Sequence, residues 1–120
     1  MKILLKELKL SEENFYYKHF DIVGLILDKP LSSMQNKVLS QFVIESLGIE
    51  KKDIFNAISR KKVKEKLKLS DAGLSGYIKS LIEKGYIQKD ESTEKIYIHE
   101  NILPDNQIQG YKFKLISMKQ

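Results

Sequence analysis

The sequence predicts an α+β domain in which helices come first and a β-hairpin follows. Two hydrophobic periods carry that reading. Leu74, Tyr77, Ile78, Leu81 and Ile82 recur at i, i+3, i+4, i+7 and i+8, the stripe of a helix that buries one face. After Gly85 the period becomes alternating, as in strands with one buried side. The scale fits one domain: 120 residues, 42% hydrophobic and 31% charged, can build a core without staples. We read 1–120 as a single domain, with an N-terminal strand/helix extension over 1–30, a core over 31–98, and a loop and closing strand over 99–120.

Each element follows from local chemistry. Ile3, Leu5, Leu8 and Leu10 suggest a strand over 2–10. Ser11, followed by Glu12 and Glu13, reads as a capped helix start with acids in the first turn. That helix runs to about Leu27, with a possible break at Gly24, and Lys29-Pro30 ends it. Ser32 or Ser33 caps the next helix, whose stripe is Val38, Leu39, Phe42, Val43 and Leu47, and Gly48 stops it. Residues 49–58 are open between a helical turn and a short strand through Ile54, Phe55 and Ile58. Ser59 is expected to cap a helix over 60–67 that turns Val63 and Leu67 inward. Lys68, Leu69 and Ser70 form a tight turn, and Ser70 caps a helix over 71–84 that Gly85 ends. Tyr86–Gln88 and Lys95–Ile98 read as strands around the polar tip Asp90, Glu91, Ser92 and Thr93. After a polar loop over 101–110, Tyr111, Phe113 and Leu115 alternate with Lys112 and Lys114 as a closing strand over 111–116, which residues 1–30 are placed to pair with.

The net charge of +5 is concentrated in one place. Residues 59–84 hold eight basic side chains, Arg60, Lys61, Lys62, Lys64, Lys66, Lys68, Lys79 and Lys84, and three acids, Glu65, Asp71 and Glu83. Eight minus three accounts for the whole excess, and the rest of the chain sums to zero. A localised excess is the footprint of a polyanionic partner, although a solvated lysine-rich helix has the same composition.

Several function classes drop out. With no cysteine there are no disulfides or thiolate metal sites, and a reducing compartment, the cytoplasm, is the expected home. Lys6, Glu7 and Lys9 interrupt the apolar start, so no secretory signal is expected, and nothing approaches the roughly 18 apolar residues of a membrane span. His19 and His99 are the only histidines and lie far apart in sequence, and no metalloprotease, nucleophile-elbow or phosphate-loop motif is present. We expect no enzyme activity, no cofactor and no metal.

A helix, a three-residue turn, a second helix and a hairpin form a recognisable supersecondary order. Counted from Arg60, the residues Val63, Leu67, Leu69, Leu74 and Tyr77 fall where two short crossing helices must bury side chains. The run VKEKLKLSDAGLSGYIKSLIEKGYI, residues 63–87, with a hairpin at 88–98, resembles the winged helix-turn-helix superfamily of DNA-binding proteins, of the kind seen in small bacterial and phage regulators. The resemblance covers about 55–98, and it departs from the usual pattern twice. Lys64 stands where a small residue is usual, and Lys68 where glycine is usual.

The resemblance implies a three-helix core with a hairpin wing, double-stranded DNA as partner, and the helix over 71–84 in the major groove. On it, Ala72, Gly73, Ser75, Gly76, Lys79 and Ser80 lie off the apolar stripe and would face bases. Small residues let the backbone approach base edges, although Gly73 and Gly76 would equally serve to relieve crowding where the helices cross. Lys61, Lys62, Lys64, Lys66 and Lys68 would meet phosphates, with Lys62 and Lys66 pointing most clearly outward, and Arg60 and Ser70, at the two helix starts, are also assigned to the DNA-binding surface. Lys89 and Lys95 flank the hairpin tip, where Asp90, Glu91 and Glu94 would repel the backbone. With 20 lysines and a single arginine, modest or A·T-leaning readout is expected.

Other readings remain. The same fold serves as a protein-docking module, whose basic face would meet an acidic partner. Gly73-Leu74-Ser75-Gly76 also matches the Gly-x-x-Gly loop of KH-type RNA-binding domains, ranked low because Leu74 belongs to a stripe that continues to Ile82. A homodimer is possible, because Phe15, Phe20, Ile22, Val23, Leu25, Ile26 and Leu27 are many apolar residues for a free helix.

Overall fold

The computed structural model describes residues 7–46, 54–104, 111 and 116–118. Within them the chain is α+β: four helices, then a two-stranded antiparallel hairpin. The helices are α1 (Glu12–Ile26), α2 (Ser33–Glu45), α3 (Ala57–Leu67) and α4 (Asp71–Glu83); the strands are β1 (Ile87–Lys89) and β2 (Ile96–Ile98). A 3₁₀ turn, Glu100–Ile102, follows the hairpin.

Capping chemistry sets the helix starts. Ser11 accepts from the Asn14 amide at the head of α1, and α1 passes Gly24 without a break. At α2 it is Ser32 that caps, in a reciprocal box: its hydroxyl accepts from the Gln35 amide, and its own amide donates to Gln35 Oε1. The expected start of α3 is corrected. Asn56, not Ser59, is the cap, its Oδ1 accepting from the Ser59 amide at 2.8 Å, and Ser59 is buried inside the first turn. The asparagine oxygen wins because the chain is already helical at Ala57, which leaves Ser59 past the position where a cap is useful.

The other departures are at the ends of the chain. Residues 7–10 are irregular and exposed, so the strand expected over 2–10 is not formed there; residues 2–6 lie outside the described residues. Tyr111 and Ile116 are not in a strand, and 112–115 of the expected closing strand lie outside the described residues. Leu47, Gly48 and 49–53 also lie outside; beyond them Ile54 and Phe55 form a buried turn, whereas Ile58 is exposed. Leu25, Ile26 and Leu27 at the end of α1 are exposed as well.

Helix α2 is the hub, in contact with α1, α3 and α4. Val38, Leu39 and Phe42 are completely buried, and the Phe42 ring lies 4.4 Å from that of Phe55. Around them pack Phe20 and Val23 of α1, Val63 of α3, Leu74, Ile78 and Leu81 of α4, and Tyr86, Ile87, Ile96 and Ile98 of the hairpin. In the hairpin Ile87 pairs with Ile98, Gln88 with Tyr97 and Lys89 with Ile96. The alternation puts the isoleucines inward and the hydrogen-bonded pair Gln88–Tyr97 outward.

Polar side chains tie the layers together. Asn36 on α2 donates to the Tyr17 carbonyl and to Asp21 Oδ1 on α1, while Ser40 donates to Asn36 Oδ1. The end of α4 reaches back to the α1–α2 connection. Lys84 Nζ donates to the Pro30 carbonyl and to Gln35 Oε1, and the Tyr86 hydroxyl donates to the Lys29 carbonyl at 2.6 Å. A Cβ on Gly24 would sit 3.1 Å from that hydroxyl and 3.2 Å from Pro30 Cα, so this crossing needs a glycine.

His19, buried in α1, links the chain beyond the hairpin to the helices. Its Nε2 lies 2.5 Å from the Ile102 carbonyl, which can only accept, so Nε2 carries the proton. Nδ1 then accepts from the Tyr111 hydroxyl at 2.6 Å. Burial holds the imidazole pKa below its ordinary 6.5, against the raising effect of the Ile102 carbonyl. A depressed histidine pKa means that the unfolded chain binds the proton more readily. Stability should therefore fall as pH drops through 6.5 toward the folded value, and thermal melts from pH 7.5 to 5.5 should show it. His19→Gln should flatten that dependence. Phe42→Ala, which empties the centre, should cost about 3–5 kcal/mol in urea unfolding.

Candidate nucleic-acid interface

Helices α3 and α4 are joined by Lys68, Leu69 and Ser70. Lys68 ends α3 in the left-handed region, at φ 55° and ψ 48°, and the Leu69 amide donates to the Lys64 carbonyl. A left-handed residue favours glycine, because a Cβ here meets the following carbonyl, at a cost of about 1–2 kcal/mol. The turn forms in spite of lysine. Ser70 then caps α4, its hydroxyl accepting from the Gly73 amide at 3.0 Å.

Lys64, the second departure from the usual pattern, has a structural task. Its Nζ lies 2.6 Å from Asp71 Oδ1 and joins the last turn of α3 to the first turn of α4. The ammonium holds the Asp71 carboxyl below its ordinary range. Asp71 also suits the positive end of the α4 dipole. The pair is solvent-exposed, so its value lies in geometry more than in stability. Sequence reasoning missed it, because a seven-residue separation across a turn obeys no helical spacing rule.

On α4 the division of faces is clean. Leu74, Ile78 and Leu81 are buried, while Ala72, Ser75, Gly76 and Lys79, at i, i+3, i+4 and i+7, are exposed. Gly73 and Ser80 are half-buried at the margin, and the Ser80 hydroxyl donates to the Gly76 carbonyl. The crowding explanation fails for Gly76, whereas at Gly73 a Cβ would crowd the hydroxyl that caps α4. A Cβ on Gly76 would meet nothing within 4 Å, and one on Gly73 would meet only the Ser70 hydroxyl, at 3.2 Å. Asp71–Glu83 is one unbroken helix, so Gly73-Leu74-Ser75-Gly76 is not the inter-helix loop of a KH domain.

The basic side chains separate into tied and outward groups. Arg60 is half-buried, and its Nε donates to the Phe55 carbonyl at 3.0 Å. Lys64 and Lys84 are held by Asp71 and by Pro30 and Gln35. Lys62 is exposed, with Glu45 of α2 at 3.9 Å. Lys61, Lys66, Lys68 and Lys79 are exposed and make no ion pair among the described residues.

Lys89 ends β1, Lys95 precedes β2, and both are exposed. Between them Asp90 accepts from the Ser92 amide and hydroxyl, which lowers its carboxyl pKa and keeps the tip negative. No group of three metal-ligating side chains occurs among the described residues, and no helix there is long and apolar enough to cross a membrane.

Compared with protein-family models, curated proteins and solved structures, the chain matches none. The chemistry of this surface is therefore the ground for a functional reading. Its backbone geometry has its own test. Lys68→Gly should raise stability by about 0.5–1 kcal/mol, read as a higher urea midpoint at unchanged m-value.

Proposed function

We propose that the chain binds double-stranded DNA as a winged helix-turn-helix protein, with α4 in the major groove and β1–β2 as the wing. In that reading it is a small transcriptional regulator or a phage or plasmid DNA-binding factor. The observation that carries it is the outer surface of α3 and α4. Apart from Ile58, which is exposed, the large apolar side chains of both helices pack into or against the core, and exposed lysines, with Glu65 and Glu83 among them, surround a row of small residues.

Three features support the reading. The order α2, α3, turn, α4, hairpin matches the expected core. Lys68 adopts the left-handed turn that glycine usually supplies. Lys61, Lys62, Lys66 and Lys68 are point charges on flexible stems, suited to phosphates, while Ser75, Gly76 and Lys79 lie together on the exposed α4 face. Arg60 contributes less in this scheme than its residue type suggests, because its Nε is bonded to Phe55.

Titration of labelled duplex by fluorescence anisotropy tests the proposal. With about four lysines on phosphate, log K should fall against log salt with a slope near −3.6. Lys62→Ala should weaken all duplexes alike and reduce the slope by about 1, whereas Lys79→Ala should weaken binding and change sequence preference. Absence of duplex binding at low salt would overturn the proposal in favour of a protein-docking module.

A further inference from the structure

We infer that His19 is a proton-operated latch: the neutral ring holds Tyr111 against α1, and the protonated ring releases Tyr111 while keeping its hold on Ile102. The switch involves α1 and the chain beyond the hairpin, so it stands whether or not α3 and α4 bind DNA.

His19 is 4% exposed, and both of its ring nitrogens are engaged by residues 83 and 92 positions away along the chain. The two partners respond differently to a proton. A carbonyl only accepts, so the bond to Ile102 needs a hydrogen on Nε2, which the neutral and the charged ring both supply. A charged donor makes that bond stronger. The Tyr111 hydroxyl donates to Nδ1, and this bond lasts only while Nδ1 keeps its lone pair. A proton on Nδ1 sets two hydrogens against each other. The hydroxyl must then turn its hydrogen elsewhere, and it makes no second hydrogen bond among the described residues.

Nothing against the ring offsets a positive charge. Phe20 meets it edge-on with centroids 5.1 Å apart, the Tyr111 ring lies 5.9 Å away, and no carboxylate pairs with it among the described residues. Tyr111 is the titratable side chain in contact with it there, and burial raises that phenol, so it stays neutral wherever His19 titrates. On α1 the nearest charged residues, Lys18 and Asp21, are exposed. Water is then the means of solvating an imidazolium. His19 is fixed within a helix and Ile102 is buried, whereas Tyr111 is half-buried and is the side that can open. Burial holds the docked imidazole below its ordinary 6.5, and a ring open to water takes the proton more readily. A fall in pH through 6.5 toward the docked value therefore favours the undocked state and draws Tyr111 off.

Proton NMR of the full chain from pH 7.5 to 5.5, with far-UV circular dichroism alongside, tests the latch. The Tyr111 ring signals should move toward those of a free tyrosine with the same midpoint as His19, while Phe42 and the helical signal stay native. In His19→Gln, whose amide can donate and accept but takes no proton, Tyr111 should stay docked throughout. Tyr111→Phe should raise the His19 midpoint toward 6.5, because the neutral ring loses its donor at Nδ1. Each pH unit of that rise corresponds to about tenfold weaker docking of Tyr111 on the charged ring. Tyr111 signals that ignore the protonation of His19 overturn the inference. So does release of Tyr111 only together with Phe42 and the helical signal, or a His19 midpoint unchanged by Tyr111→Phe. Should His19→Gln fail to fold, the midpoint in Tyr111→Phe decides.

Discussion

The structure depends on the burial of α2. A helix enclosed on most sides must be covered by several elements at once, and here α1, α3 and α4 each bring one apolar face to it. Val38, Leu39 and Phe42 lose all contact with water, and burial of such side chains contributes about 1.5–3 kcal/mol apiece. The consequence for function is geometric. Once Val63, Leu74, Ile78 and Leu81 are committed to that core, the exposed sides of α3 and α4 are left to polar and small residues, with Ile58 the large apolar exception.

Apolar burial alone would leave the helices free to slide, because it is not directional. Directional bonds set the alignment. The Asn36 amide fixes α1 on α2, and Lys84 and Tyr86 bind the end of α4 and the start of the hairpin to the α1–α2 connection. His19 does the same for the chain beyond the hairpin through Ile102 and Tyr111. The two anchors at the end of α4 serve one connection from different sides, and Gly24 makes room for the second of them.

The same economy divides the charges. Positive residues dominate 59–84, yet Lys64 and Lys84 act as fasteners, Arg60 supports its own loop, and Lys62 has Glu45 nearby. The outward positive charge on these helices is smaller than composition suggests, is carried by ammonium groups, which attract phosphates without imposing the planar geometry of a guanidinium, and shares the surface with the exposed Glu65 and Glu83. Ammonium groups on flexible stems are suited to phosphates, which is why duplex DNA is the partner we put forward.

Much of this was legible in the sequence, for identifiable reasons. The stripe from Leu74 to Ile82 announced α4, Ser11, Ser32 and Ser70 announced three helix starts, and the change of period after Gly85 announced the hairpin, because each signal is encoded within a few neighbouring residues. The start of α3 was misread because Asn56 and Ser59 are both competent caps, and which one serves depends on where Phe55 is anchored in the core. Residues 7–10 carry apolar side chains but no strand, since a strand needs a partner edge that local pattern does not supply.

By itself, then, the sequence determined the four helices, the hairpin, their order and the stretch that holds the surplus charge, all properties of spacing along the chain. Only the tertiary structure decided which lysines are fasteners and which face outward, that Gly76 stands in open space, and that the single arginine is tied to its own loop. Those facts depend on residues such as Asp71, Pro30, Gln35 and Phe55 arriving from other parts of the backbone, and periodicity carries no information about such meetings.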